Sequence, residues 1–311
     1  MSIAVIGAGL IGRAWAIVFA RAGFKVALWD GVADAVPAAL AMIRQRLDDL
    51  VAVGLVEETA AVLANIHPVA TLAEALRNVT YVQENLPEVL ETKRAIFAEM
   101  DALAAPATIL ASSTSSIPAS AFTETLKGRS RCLVAHPVNP PYLVPLVELC
   151  GAPWTSPDVI ARTRALHENA GQVPITVKRE INGFILNRLQ GALLNEAFRL
   201  VEDGYVGAAD LDKTLSDGLG LRWSFMGPFE TIDLNAPDGL RDYCTRYGPM
   251  YEAMAKQQAD PRRWRPALVE HLEGERRQAL PKERLAARQT WRDRRLMALL
   301  AHKRKMDRDE E

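Results

Sequence analysis

The apolar run Ile3-Ala4-Val5-Ile6 is followed at once by Gly7-Ala8-Gly9-Leu10-Ile11-Gly12 and then by a helical pattern from Ala14 to Ala22. Strand, glycine turn and helix in immediate succession leave little choice of local architecture. The first glycine permits the tight turn, the second lets backbone approach a pyrophosphate, and the third lets the helix pack closely on the strand with its N-terminus toward negative charge. Gly7, Gly9 and Gly12 are therefore the expected cradle of a dinucleotide. A second β-like run, Lys25–Trp29, ends in Asp30, 18 residues past Gly12, where an acid hydrogen-bonds ribose hydroxyls. Gly31, Val32 and Ala33 follow with no Arg or Lys to receive a 2′-phosphate, and the carboxylate would repel one, so the expected cofactor is NAD and not NADP. Glycine-rich loops also arise for conformational reasons alone; strand, helix and acid together give this one its meaning.

A chain of 311 residues has room for two domains, and 49% hydrophobic with 24% charged residues is a globular composition. Lys plus Arg (37) nearly balances Asp plus Glu (38), so no global field attracts nucleic acid or an acidic membrane, and neither partner is expected. No basic region precedes the first apolar run, which glycine interrupts before Arg13; neither signal peptide nor membrane span is expected, and a cytoplasmic protein is. Cys132, Cys150 and Cys244 are odd in number and lack Cys-x-x-Cys spacing, which fits three reduced thiols. His67, His136, His167, His271 and His302 are scattered, and no metal site is expected.

After Asp30 strand-like and helical pieces alternate: a helix to about Val53, a strand at 66–69, a short helix at 72–77, a strand at 79–84, a helix at 88–103, a strand at 108–112 and a helix near 118–126. That alternation implies an α/β, Rossmann-type, doubly wound parallel sheet. Runs at 131–135 and 146–150 are joined by a proline-rich loop too short for a helical crossover, so they are expected as an antiparallel appendage. A helix at 156–170 and a strand at 173–178 close this half. From Gly183 the period becomes helical, with Ile185, Leu189, Ala192, Leu193 and Leu200 on one stripe. The expected division is 1–182 for the NAD-binding domain and 183–311 for an all-helical domain. The arginine-rich tail from Glu275, interrupted by Glu283, Asp293, Asp307, Asp309, Glu310 and Glu311, reads as a solvated or partner-facing helix.

His136 ends one of the two appended strands and Glu148 lies in the next. In a hairpin centred on Tyr142 they face each other, and a carboxylate accepting one imidazole N–H leaves the other nitrogen to move a proton. A strand-end histidine bonded to backbone and a solvent-facing glutamate fit the same spacing. The run Ser112-Ser113-Thr114-Ser115-Ser116 follows a buried-type strand at the sheet edge where such folds bind ligands; its hydroxyls can hold a substrate oxygen or cap the helix near Pro118. Asn187 lies off the apolar stripe of its helix, either facing a cleft or as a surface amide. Arg222 has the planar fork suited to a substrate carboxylate, or to bridging domains.

With these residues assembled, the chain resembles the 3-hydroxyacyl-CoA dehydrogenase superfamily, and within it the lambda-crystallin, L-gulonate 3-dehydrogenase branch. The resemblance is carried by 7–16 (Gly-Ala-Gly-Leu-Ile-Gly-Arg-Ala-Trp-Ala), the serine run 112–116, Ala-His-Pro-Val-Asn-Pro-Pro-Tyr at 135–142, Gly-Phe-Ile-Leu-Asn-Arg-Leu-Gln at 183–190, 227–236 and 286–293. It implies an NAD-dependent oxidoreductase acting on a small hydroxy acid, and a homodimer. It further implies Ser115 as the hydroxyl, His136 as base, Glu148 as its partner and Asn187 as the substrate-positioning amide. Leu10, Ile11 and Asp30 would hold the adenosine half of NAD, with Glu88 and Lys93 at cofactor contacts. Trp223-Ser224-Phe225 resembles the L-carnitine dehydrogenases more closely, and a quaternary ammonium could sit on those rings. Between Asp30 and Gly54 only Arg44 and Arg46 offer charge to the phosphates of a 3-hydroxyacyl-CoA such as 3-hydroxybutyryl-CoA, which favours small hydroxy acids. The lens role of lambda-crystallin leaves open a non-catalytic NAD(H)-binding protein.

Overall fold

The protein, a computed structural model, is described over residues 2–310, with side chains to residue 306; the acids at 307 and 309–311 noted above lie outside the described side chains. Strands and helices alternate through the first half: β1 (Ser2–Ile6), α1 (Leu10–Arg21), β2 (Lys25–Trp29), α2 (Ala35–Ala52), α3 (Thr59–Leu63), β3 (Ile66–Pro68), α4 (Leu72–Ala75), β4 (Tyr81–Glu84), α5 (Leu90–Leu103), β5 (Ile109–Ser112), α6 (Ser120–Thr123), β6 (Cys132–Pro137), β7 (Leu146–Gly151), α7 (Pro157–Asn169) and β8 (Val173–Val177). They form one eight-stranded sheet in the order β3-β2-β1-β4-β5-β6-β7-β8. Strands β1 to β6 run parallel, β7 runs antiparallel to β6, and β8 is parallel to β7. The chain reverses its winding direction between β1 and β4, and a ligand crevice opens outside the carboxyl ends of strands at such a switch point.

Period-two alternation sorts the strand residues onto two apolar faces. Ile3, Val5, Tyr81, Ile109, Ala111, Leu133 and Ala135 meet Trp15, Phe19, Ile43 and Leu47 of α1 and α2. Ala4, Ile6, Val82, Leu110, Cys132 and Val134 meet Phe97, Met100 and Phe122 of α5 and α6. The near-continuous apolar strands follow from burial on both faces. Two expected helices differ in extent, and one helix was not expected. The helix expected over 88–103 begins at Leu90, leaving Glu88 in the preceding loop; the one near 118–126 shrinks to α6; and α3 lies where no helix was expected.

The second half is helical: α8 (Leu186–Glu202), α9 (Ala208–Lys213), a π-turn at Thr214–Leu219, α10 (Gly220–Trp223), α11 (Pro228–Asp233), α12 (Gly239–Gln258), α13 (Pro266–Ala279) and α14 (Leu285–Glu310). The chain divides into two compact units, 1–188 together with 291–311, and 189–290. The tail therefore departs from the expected 183–311 grouping, because α14 carries an apolar anchor. Met297 is fully buried and Leu296 half-buried in the first core, with Asp293 buried beside them. In the second unit no apolar side chain is fully buried among the described residues, and Leu221, Phe225, Phe229 and Leu234 are exposed. Phe198 stacks on Trp264 at 4.2 Å between ring centroids, and Arg262 bridges Glu202, Asp203 and Asp260. Among the described residues no helix is long and apolar enough to cross a membrane.

If Met297 anchors the tail, Met297→Ala should lower stability by about 2–4 kcal/mol. Thermal unfolding monitored by circular dichroism measures this, and an unchanged midpoint would mean that α14 is not docked.

Candidate active site

At the end of β1 the chain turns at Gly7 with φ +89°. A Cβ there would lie 3.0 Å from the Asn85 carbonyl, and a Cβ on Gly12 would lie 1.7 Å from the Gly7 carbonyl oxygen. The first and third glycines are thus required by backbone contact within the protein itself. Gly9 differs: a Cβ there meets nothing within 4 Å. It precedes α1 without providing a side-chain cap, so the first amides of the helix keep their donors for an anion in the space Gly9 leaves open. Asp30 accepts from the Ala8 N–H at 2.7 Å and the Val32 N–H at 2.8 Å, one on each carboxylate oxygen. These bonds fix its direction and leave lone pairs for hydroxyl donors. Leu10 is 53% exposed beside the turn, and Ile11 is half-buried. The donor set fits a dinucleotide with free ribose hydroxyls.

Four polar side chains line the opposite sheet face, at the carboxyl ends of β4 to β6 and in the amino-terminal half of the antiparallel β7: Glu84, Ser112, His136 and Glu148. Each shares the parity of the apolar residues facing α5 and α6, and each is buried. His136 and Glu148 are direct partners in the β6–β7 register, with Nδ1 2.8 Å from Glu148 Oε2. The other carboxylate oxygen, Oε1, accepts from the Ile185 N–H at 2.8 Å and the Leu186 N–H at 3.0 Å. Those amides open α8, whose N-terminal dipole favours the anion. The approach to α8 runs through two left-handed residues, Gly183 (φ +76°) and Phe184 (φ +48°). For a phenylalanine that conformation costs about 1–2 kcal/mol, offset by complete burial of its ring 5.5 Å from that of His136. Burial pushes the Glu148 carboxyl up, but the hydrogen bonds from His136, Leu186 and Ile185 outweigh it and hold Glu148 below its ordinary range. An ionised carboxylate only accepts, so His136 Nδ1 carries a proton, and in the neutral ring Nε2 is the nitrogen with the lone pair.

The serine turn after β5 is held from several sides. Ser112 Oγ donates to Glu84 Oε2 at 2.6 Å, and the Glu84 carboxylate also takes Lys93 Nζ at 2.8 and 3.0 Å. Lys93 is 1% exposed, and its amine donates further to the Leu86 carbonyl at 2.9 Å. Lys93, expected at a cofactor contact, is thus engaged with Glu84 under the crevice floor. Burial raises the Glu84 carboxyl against the pull of Lys93. Ser115 is exposed; its N–H donates to Glu88 at 3.0 Å and its carbonyl accepts from Asn187 Nδ2 at 2.9 Å. Arg222 lies exposed on α10 in the second unit.

A third layer escaped the sequence reading. Ser113 Oγ accepts from Trp15 Nε1 at 3.0 Å and Gln83 Nε2 at 2.7 Å, and donates to Asn85 Oδ1 at 2.7 Å. Gln83 Oε1 accepts from the Tyr81 hydroxyl, whose oxygen meets His167 Nε2 at 3.1 Å. Burial drives His167 down to about 3, so the ring is neutral and its Nδ1 lacks a partner. This relay ties α1, β4, the serine turn and α7 beneath the glycine turn. The available signal was Tyr81 and Gln83 at alternate positions of β4, on the face that Ile3 and Val5 share in β1.

Residues 2–181 match the NAD binding domain of 3-hydroxyacyl-CoA dehydrogenase, and residues 183–279 match its C-terminal domain. The chain is 42% identical to lambda-crystallin of Oryctolagus cuniculus over 309 residues, 98% of this chain and 97% of that one. It is 36% identical to L-carnitine dehydrogenase of Streptomyces coelicolor over 260 residues, covering 83% and 81%. Among solved structures, a 5-formyl-3-hydroxy-2-methylpyridine 4-carboxylic acid 5-dehydrogenase, described as an NAD+-dependent dismutase, matches with a TM-score of 0.83 at 27% identity, covering 96% of both chains.

The two glycine environments separate fold from ligand. Gly12→Ala should destabilise by at least about 2 kcal/mol through the clash with Gly7. Gly9→Ala should leave the unfolding midpoint nearly unchanged while weakening NADH binding by roughly tenfold or more, the scale of one lost close backbone approach. Fluorescence titration with NADH beside thermal melts checks both.

Proposed function

Because the chain belongs to the 3-hydroxyacyl-CoA dehydrogenase family, an NAD-dependent family acting on 3-hydroxyl groups, we propose that it oxidises the 3-hydroxyl of a small polar hydroxy acid of the L-gulonate kind, with His136 as general base. The observation that supports this most is the His136 Nδ1 to Glu148 Oε2 hydrogen bond at 2.8 Å on a buried pair. NAD, when bound, supplies the hydride acceptor; Gly7, Gly9, Gly12, Leu10, Ile11 and Asp30 would hold it.

His136 Nε2 takes the hydroxyl proton, and Glu148 stabilises the imidazolium that forms. Ser115 Oγ and Asn187 hold the substrate oxygen as it gains carbonyl character. Glu148 ionises more readily in the folded protein than in the unfolded chain, because the hydrogen bonds from His136, Leu186 and Ile185 favour its carboxylate. Its stabilising contribution is full above the unfolded value and is lost only as pH falls through the lower folded one. Arg222 is the proposed partner of the substrate carboxylate. The L-carnitine dehydrogenase relative and the family's thioester substrates define the competing alcohols. The second unit, whose apolar side chains stay exposed, also favours a homodimer that covers them.

NADH formation with L-gulonate, L-carnitine and 3-hydroxybutyryl-CoA tests the substrate class; tight NADH binding without turnover of any hydroxy acid would sink the catalytic reading. His136→Ala should lower kcat roughly 10²- to 10⁴-fold while NADH affinity holds. Glu148→Gln should cost a comparable factor. Its amide oxygen must face the Ile185 and Leu186 N–H groups, so its NH₂ meets Nδ1 and reverses the His136 tautomer. Wild-type turnover in either variant rules out the assignment. Sedimentation at micromolar concentration should give twice the chain mass, and a monomer would refute the dimer.

A further inference from the structure

We infer that Glu88 is a positioning residue for the proposed reaction: it gathers the Thr114–Ser116 turn onto one carboxylate oxygen and so sets the direction in which the Ser115 hydroxyl is presented. The inference rests on the reading of Ser115 given above. Glu88 Oε1 accepts from Thr114 Oγ1 at 2.6 Å, Ser115 N–H at 3.0 Å, Ser116 N–H at 2.9 Å and Ser116 Oγ at 3.0 Å. On its other side Ser115 gives its carbonyl to Asn187 Nδ2. Both peptide groups of Ser115 are thus fixed, one by an anion and one by an amide 72 residues away in sequence. Among the described residues the Ser115 hydroxyl takes no protein partner, so it is the one polar group of that residue left for a ligand.

Four donors on one oxygen call for a charged acceptor, because bonds to an ionised oxygen are roughly twice as strong as bonds to a neutral one. The loop position of Glu88, ahead of α5, lets it fold back over the turn. A residue that only touched the cofactor would act on cofactor affinity alone. A residue that orients Ser115 acts on the alcohol, where a small misplacement of a reacting contact costs about a hundredfold.

The test uses the full-length enzyme with the hydroxy acid that the wild type turns over, together with NADH titrations. At saturating NAD, Glu88→Ala should lower kcat for the alcohol about 30- to 100-fold, a loss that any change in NADH affinity leaves in place. Glu88→Gln, which keeps an oxygen at the same place but removes its charge, should recover only part of that loss. In a double-mutant cycle, Glu88→Ala added to Ser115→Ala should cost little more than Ser115→Ala alone, since both act through one hydroxyl. Weakened NADH binding with wild-type kcat at saturating NAD, or additive losses in the cycle, would overturn the inference. A wild-type enzyme inactive on every hydroxy acid sinks the functional reading and this inference with it. An active wild type and an unaffected Glu88→Ala sink the inference alone.

Discussion

One carboxylate, that of Glu148, joins the three segments on which the proposed chemistry depends. It accepts from an imidazole on β6, sits on β7, and takes two amides at the start of α8. A buried carboxylate is tolerated only when its lone pairs are occupied, so its partners are mutually constrained. A one-residue slip of β7 would turn Glu148 to the opposite face. The left-handed backbone at Phe184 follows from the same demand, since it aims the Ile185 and Leu186 amides back at the carboxylate.

The carboxyl edge of the sheet carries polar side chains on both faces, and parity decides which. Glu84, Ser112, His136 and Glu148 point one way; Tyr81 and Gln83 point the other and connect to Ser113 and His167. Each layer is internally hydrogen-bonded, which keeps polar groups stable at a buried edge and makes the floor rigid. The ligand-facing surface is left to groups without protein partners: the start of α1, the open side of Gly9, and the Ser115 hydroxyl. Rigid support beneath open donors is the arrangement that preorganised binding of a developing charge requires.

The second unit obeys a different balance. Its helices are held by ion pairs such as those of Arg262 and by the Phe198–Trp264 stack, while large apolar side chains remain at the surface. Local charge pairing of that kind contributes little against ordering entropy.

The strand-glycine-helix opening, Asp30, the alternation of strands and helices, and the hairpin symmetry that sets His136 opposite Glu148 were all legible along the chain, because each depends on short spacing and on periods of two or 3.6 residues. Tertiary structure alone decided that Lys93 is sealed against Glu84, that Glu88 folds onto the serine turn, that Trp15 reaches Ser113, and that Met297 brings the tail back to the first unit. Those outcomes are contacts between residues far apart in sequence, chosen by which donors and apolar surfaces remain unsatisfied once the sheet has formed, and no local pattern encodes that remainder.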